Sequence, residues 1–275
     1  MEKNISNHKL LFLFLLCSFF LNCKHTGSIT QGKEIIDSNM EIKNNIETYI
    51  EANWLSYGYK TKPDKYIALT FDDGPCHPEY YGGSAALLKI LNEYKVKATY
   101  FFVGEKIIEN INEAHAIVAA GHEIGNHSDD HKDLGNAGRL SAPVVKQNLE
   151  AASQKIKDLT GVYPKVMRPP YLSNGTALTN ACKDLGMAII YGFIDPRDWD
   201  NNNTPQNIIN SVLSKAHDGG IIIMHETYAA RGRTIPAMPQ IITGLRDKGY
   251  WFVTVSELAA IKGKTLEAGE VYNIF

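Results

Sequence analysis

The stretch Tyr66-Ile67-Ala68-Leu69-Thr70-Phe71-Asp72-Asp73-Gly74-Pro75 decides how the chain is read. An apolar run stops abruptly in two adjacent acids and a Gly-Pro turn. Side chains alternate along a strand, but a turn beginning at Asp73 swings both carboxylates toward one cleft, where they repel unless a cation separates their roles. A metal held by one of them does this. Asp-Gly also caps ordinary turns, so the pair gains meaning only from what stands at the other strand ends.

From Pro63 onward, strand and helix patterns alternate to the C-terminus without an internal linker. Strands are expected at 66–71, 98–103, 123–126, 165–168, 187–193, 220–225 and 250–255. Helices are expected at 84–94, 106–120, 143–159, 177–185, 205–216 and 239–247. Gly121, Gly161, Gly186, Gly219 and Gly249 each follow a helical segment and precede a strand, as C-terminal glycine caps do. Repeated βα units imply a parallel sheet, and this many in one domain of residues 63–275 imply an α/β barrel.

The 275 residues, 44% hydrophobic and 21% charged with a formal net charge of -2, describe an ordinary globular protein. No basic patch or charge block suits nucleic acid. Lys3 and Lys9 precede an apolar run from Leu10 to Leu16 that resumes at Phe19-Phe20-Leu21, so residues 1–22 read as a secretory signal. Leu21-Asn22-Cys23 resembles a loose bacterial lipoprotein cleavage box, with Cys23 as the lipidated residue and Asn22 as its unusual member. Simple cleavage and an uncleaved anchor are the rivals, and all three export the domain. Residues 23–62 read as a polar tether with a short helix around Ile42, Ile46, Tyr49 and Ile50. Cys76 and Cys182 remain in the mature domain, as a disulfide that export permits or as buried free thiols.

In a barrel of this kind the C-terminal strand ends carry the chemistry. Strand one ends in Asp72-Asp73, strand three in His127-Ser128-Asp129-Asp130-His131, strand four in Arg168-Pro169-Pro170-Tyr171, strand five in Asp195-Pro196-Arg197-Asp198-Trp199, and strand six in Met224-His225-Glu226. If a helical turn starts at Asn126, His127 and His131 share a face and can share a cation, with Asp73 as third ligand. Two histidines and one carboxylate suit zinc hydrolysis and equally suit non-haem iron oxygenation. His77 reads as a solvated loop residue and His122 as structural. Tyr228, Arg231 and Arg233 follow strand six and either line a groove or decorate the surface.

Together T-F-D-D-G-P, H-S-D-D-H, R-P-P-Y, D-P-R-D-W and I-M-H resemble the five motifs of the polysaccharide deacetylases, the NodB-homology group or carbohydrate esterase family 4. The first three are highly specific and the last two looser, and Ile223 stands where leucine is usual. The resemblance implies a distorted (β/α)7 barrel and a ligand set of Asp73, His127 and His131 for zinc or another divalent cation such as cobalt. It implies Asp72 as general base, Arg168 as the residue tethering it, His225 as general acid and Asp198 as the carboxylate that raises the pKa of His225. Tyr171 matches the position whose backbone N–H stabilises the oxyanion, and Trp199 the aromatic wall for sugar or acetyl.

The function this implies is removal of N-acetyl groups from a GlcNAc-containing polysaccharide, peptidoglycan or chitin-like. Acetyl xylan ester hydrolysis and a weakly active glycan-binding lipoprotein are the alternatives. An iron oxygenase leaves Asp72, Arg168 and His225 without a task.

Overall fold

In the computed structural model, residues 28–79, 82–135, 140–226 and 228–275 are described. The expected signal and Cys23 lie outside them. The chain divides into two units, Met1–Ser38 and Asn39–Phe275. The described part of the first is helical. Helix α1, Ser28–Asn53, is longer than the short helix expected in the tether.

The barrel is built on β1, Lys65–Gly74. Its alternation gives it two jobs. Ile67, Leu69 and Phe71 join the cluster packed under the helices, whereas Ala68 joins an inner cluster with Phe101, Val166, Ile190, Ile221 and Val253. Period two then places Thr70 and Asp72 on the inner face, above Ala68. One edge of β1 pairs in parallel with β6, Gly220–His225, so that Asp72 lies opposite His225. The other edge pairs with β7, Tyr250–Val253, at its start and with β2, Thr99–Phe102, at its end.

From β2 the parallel sheet runs through β3, Glu123–Asn126, β4, Val166–Met167, and β5, Ala188–Ile190, to β8, Val271–Tyr272. All seven expected strands form, and β8 is an addition. Strands four and five are shorter than the sequence pattern suggests, and β8 occupies the second edge of β5. Closure onto β6 falls to one bridge beyond β5, where Ile194 N–H donates to Ile221 O at 3.2 Å and Ile194 O accepts from Ile223 N–H at 2.9 Å. This seam distorts the (β/α)7 barrel.

The helices are α2, Gly83–Glu93; α3, Gly104–Glu109; α4, Ile111–Ala119; α5, Ala142–Thr160; α6, Thr176–Leu185; α7, Pro205–Lys215; α8, Tyr228–Asp247; and α9, Val255–Ile261. The single helix expected at 106–120 is two, broken at Asn110, whose amide donates back to Lys106 O at 2.9 Å. α8 starts well before Pro239 and carries Pro236 and Pro239 inside it. Ile50, Tyr59 and Trp251 close the lower end of the barrel, with the Tyr59 and Trp251 rings stacked at 5.2 Å.

Gly125 in β3 has no room for a side chain. A Cβ there would lie 2.6 Å from the Phe101 ring and 3.0 Å from Val166 O, both part of the barrel interior. Gly125→Ala is expected to destabilise the fold by about 1–3 kcal/mol through overpacking, read as a lower urea midpoint with an unchanged slope.

Candidate active site

Asp72 and Asp73 reach one cleft because β1 breaks its alternation between them. In the pairing with β2, Asp72 lies opposite Phe101 and Gly74 opposite Phe102, so Asp73 is an extra residue in a bulge, at φ 69°. The two carboxylates then acquire separate partners. Asp72 Oδ1 accepts from Arg168 Nη1 at 2.8 Å, and Asp73 Oδ1 lies 3.1 Å from His127 Nε2 and 2.8 Å from His131 Nε2.

The imidazoles meet by a different route from the one expected. Residues 127–131 form no helical turn; they follow an irregular path in which Ser128 and His131 take positive φ of 68° and 57°. Such backbone must be held by its surroundings. Buried Asn126 accepts from Ser128 N–H at 2.7 Å and donates to Leu149 O and Ser153 Oγ, both at 2.9 Å on α5. Asn148 accepts from Asp129 N–H at 2.8 Å and donates to Asp130 Oδ1 at 2.7 Å, while Lys155 donates to Asp129 Oδ1 at 2.6 Å. The two acids of H-S-D-D-H are thus braces for the loop.

His127 Nδ1 donates to Arg168 O at 2.6 Å, since a carbonyl can only accept, and this leaves Nε2 as a bare lone pair in the neutral ring. Asp73, His127 and His131 each direct one ligand atom into a common space, all within 4.8 Å of one another. Asp73 Oδ1 is buried and its approach to the two rings gives no hydrogen-bond geometry. Burial works against its charge, but the facing imidazoles outweigh it and hold the Asp73 carboxyl well below the usual carboxylate range. An ionised oxygen without a donor, beside two imidazole nitrogens, is a donor set that fits a divalent cation.

Arg168 is fully buried in the upper barrel with its guanidinium 4.3 Å over the Phe101 ring. It donates to Thr70 Oγ1 at 2.6 Å, Ile190 O at 3.1 Å and Tyr191 O at 2.9 Å besides Asp72. Burial lowers its pKa and Asp72 opposes that shift. Lys106 on α3 donates to Asp73 O at 2.7 Å, a brace that no sequence pattern marks.

The fifth polar group of the cleft is His225 with Asp198. Nδ1 of His225 lies 2.7 Å from Asp198 Oδ1, and His225 N–H donates to Asp198 Oδ2 at 2.8 Å. Burial pushes the imidazole down, but Asp198, then Asp72 and Asp73, more than offset it, and its pKa stands raised at about 9. Arg233, expected in a groove or on the surface, instead sits on α8 and donates to Asp198 O at 3.0 Å. The side chains of Tyr228 and Arg231 lie outside the described residues. Tyr171, at φ 60° and 70% exposed, sets its ring 5.0 Å from that of His131. Trp199 is 45% exposed, with the Arg197 guanidinium 5.0 Å over its ring.

Residues expected elsewhere stay elsewhere. His77 accepts from Glu79 N–H in its own loop, and His122 is a core residue whose Nδ1 accepts from Ala98 N–H at 3.1 Å, with burial pushing its pKa to about 3. Cys76 and Cys182 are both buried and no disulfide joins them. Burial pushes the Cys182 thiol up to about 12.

The family profile described as polysaccharide deacetylase matches residues 59–190. The chain is 38% identical over 210 residues to a bifunctional xylanase/deacetylase of Pseudobutyrivibrio xylanivorans, covering 75% of this chain and 32% of that protein, so it spans about a third of that relative. It is 33% identical over 201 residues to a peptidoglycan-N-acetylglucosamine deacetylase of Bacillus cereus, covering 72% of this chain and 90% of that one. Among solved structures, a family 4 acetyl xylan esterase from Clostridium thermocellum in complex with a cobalt ion superposes with a TM-score of 0.69 at 31% identity, covering 76% of this chain and 98% of that one. The chain belongs to the polysaccharide deacetylase family, carbohydrate esterase family 4.

Removing a ligand discriminates the metal reading from a structural histidine cluster. His131→Ala is expected to abolish high-affinity zinc uptake in a calorimetric titration, whereas His225→Ala keeps it. Tight zinc binding by the His131 variant would break the proposed ligand set.

Proposed function

We propose that this chain is an exported metal-dependent hydrolase that removes N-acetyl groups from a GlcNAc-containing polysaccharide, peptidoglycan first and chitin-like chains second. One observation carries the reading. A buried Asp72 held by Arg168 stands beside the Asp73, His127, His131 donor set, and a histidine built to be cationic, His225, is paired with β1 across the same cleft.

Asp73, His127 and His131 would hold zinc or a related divalent ion such as cobalt, which supplies Lewis acidity toward carbonyl and water oxygens. Asp72 serves as the general base that accepts a proton from water. Arg168 holds that carboxylate at 2.8 Å in one orientation, with the charge on oxygen. His225, an imidazolium at neutral pH, donates a proton to the departing nitrogen, and Asp198 keeps its Nδ1–H engaged so that the other ring nitrogen is the one available. Tyr171 lends its backbone N–H to the oxyanion, and the exposed rings of Tyr171 and Trp199 offer faces for sugar.

An amine must be protonated to leave, whereas an alkoxide from an ester depends less on an acid. The effort spent on His225 therefore favours an amide substrate. Acetyl xylan ester hydrolysis is the second reading, since relatives of that description align along the same barrel. Residues 1–22 act in this proposal as an export signal, with Cys23 lipidated and residues 23–62 reaching from membrane to wall.

Acetate release should be measured across chito-oligosaccharides, peptidoglycan and acetylated xylan. Release from the first two, lost with a chelator and restored by zinc, is expected; turnover of xylan alone would overturn the amide reading. Asp72→Asn is expected to keep zinc and lose roughly 10²–10⁴-fold in kcat, and an unchanged rate removes Asp72 as base.

The pKa of His225 is raised, so the imidazolium is present below about 9 and lost as pH rises through that value. A bound cation offsets the help from Asp72 and Asp73, but Asp198 retains its own. Asp198→Asn is therefore expected to move the basic limb of kcat to lower pH, measured as a pH–rate profile.

A further inference from the structure

Asp198 is fully buried, and its carboxylate has more than one claimant. Oδ1 takes the Nδ1–H of His225 at 2.7 Å, and Oδ2 takes the His225 N–H at 2.8 Å together with the hydroxyl of Thr234 at 2.6 Å. Thr234 lies on α8, outside the five motifs that mark the cleft, and is 1% exposed. Its neighbour Arg233 donates from Nε to Asp198 O at 3.0 Å and from Nη2 to Asn201 Oδ1 at 3.3 Å. One turn of α8 thus grips Asp198 by its side chain and its backbone.

We infer that Thr234 is a positioning residue of the acid pair, whose hydroxyl draws charge from Asp198 and so sets how tightly His225 holds its proton. The inference rests on the reading of His225 as the general acid. A buried carboxylate that loses a short hydrogen bond becomes more basic and stabilises the imidazolium facing it more strongly. The two His225 contacts keep the carboxylate in place without Thr234, so the effect falls on proton affinity before geometry. An acid that binds its proton too tightly is a poor donor, since catalytic efficiency needs a pKa near the working pH.

The other charges facing His225 are fixed by different elements. Asp72 and Asp73 come from β1, with Arg168 from the end of β4 neutralising Asp72. Glu226, next in the chain, turns its buried carboxylate toward Gly74, where an added Cβ would meet it at 1.9 Å. On α8, among the described residues, the groups are Arg233, spent on the Asp198 backbone, and Thr234. Of the partners of Asp198, Thr234 is the one whose hydroxyl can be deleted without altering a charge.

The test is a histidine NMR titration of the full chain loaded with zinc, following the His225 ring in wild type, Thr234→Val and Thr234→Ser, alongside pH–rate profiles. Thr234→Val is expected to raise the His225 pKa by about one unit and to lower kcat at neutral pH by about tenfold, while Thr234→Ser stays at the wild-type value. An unmoved or lowered His225 pKa in folded Thr234→Val, or a serine variant that behaves like valine, overturns the inference. If valine prevents folding, Thr234→Cys, close in volume and a weak donor, takes its place with the same expected shift. A His225 pKa that rises with no change in kcat leaves the inference standing and overturns His225 as the acid.

Discussion

Everything at the mouth of this barrel depends on burying two adjacent carboxylates at the end of one strand. An isolated buried carboxylate costs several kcal/mol, and breaking a buried pair leaves that cost uncompensated. The chain meets the problem by giving each acid a separate cationic environment. Asp72 continues the inner face of β1 and meets Arg168; Asp73, displaced by the bulge, meets two imidazoles. Without the bulge, strict alternation would send Asp73 into the apolar layer under the helices beside Leu69 and Phe71.

Arg168 does more than neutralise Asp72. Its donors reach Thr70 on β1, Ile190 at the end of β5 and Tyr191 just past it, while its own carbonyl holds the His127 ring. Thr70 passes the chain of bonds on by donating to Ile222 O of β6 at 2.6 Å. A single buried cation therefore ties together the upper ends of four strands, which matters because the barrel closes on the β6 side through only the Ile194–Ile222 bridge. Asp72 and the scaffold that orients it share the same hydrogen bonds, so the position of Asp72 is as rigid as the barrel itself.

Much of this was legible in the sequence because the chemistry-bearing residues sit at strand ends, and strand ends are marked by sharp changes from apolar to polar character. Asp72, His127, Arg168 and His225 all fall at such changes. What could not be read lies where neighbouring structure overrides local pattern. The bulge at Asp73 is braced by Lys106 of α3, and the left-handed residues Ser128 and His131 depend on contacts from α5, some twenty residues away, so the spacing of the two histidines suggested a helical turn that does not form. The short β8 has too few residues to show a period. Helix α9 was not among the expected helices, and the last strand was expected to run to 255, although Thr254 and Glu257 form a capping box, the T-x-x-E pattern whose hydroxyl and carboxylate satisfy two backbone donors. Thr234 carried no signal and Arg233 was read as a groove or surface residue, because the helix that holds both was expected to start only at Pro239.

The charges of the cleft can be balanced group by group, and the remainder shows what the site lacks. Asp72 is matched by Arg168, and Asp198 by the His225 imidazolium. Among Asp72, Asp73, Asp198, Arg168 and His225, the charge left over is that of Asp73. His127 turns Nδ1 to Arg168 O and Nε2 to Asp73. The charge of Asp73 and the two imidazole nitrogens thus fall at one point in the cleft. A protein does not keep an ionised oxygen and imidazole nitrogens pointed at each other for stability, because an apolar replacement of the same shape would cost less. A divalent cation held by Asp73, His127 and His131 would use this donor set, beside Asp72 and His225, each already paired.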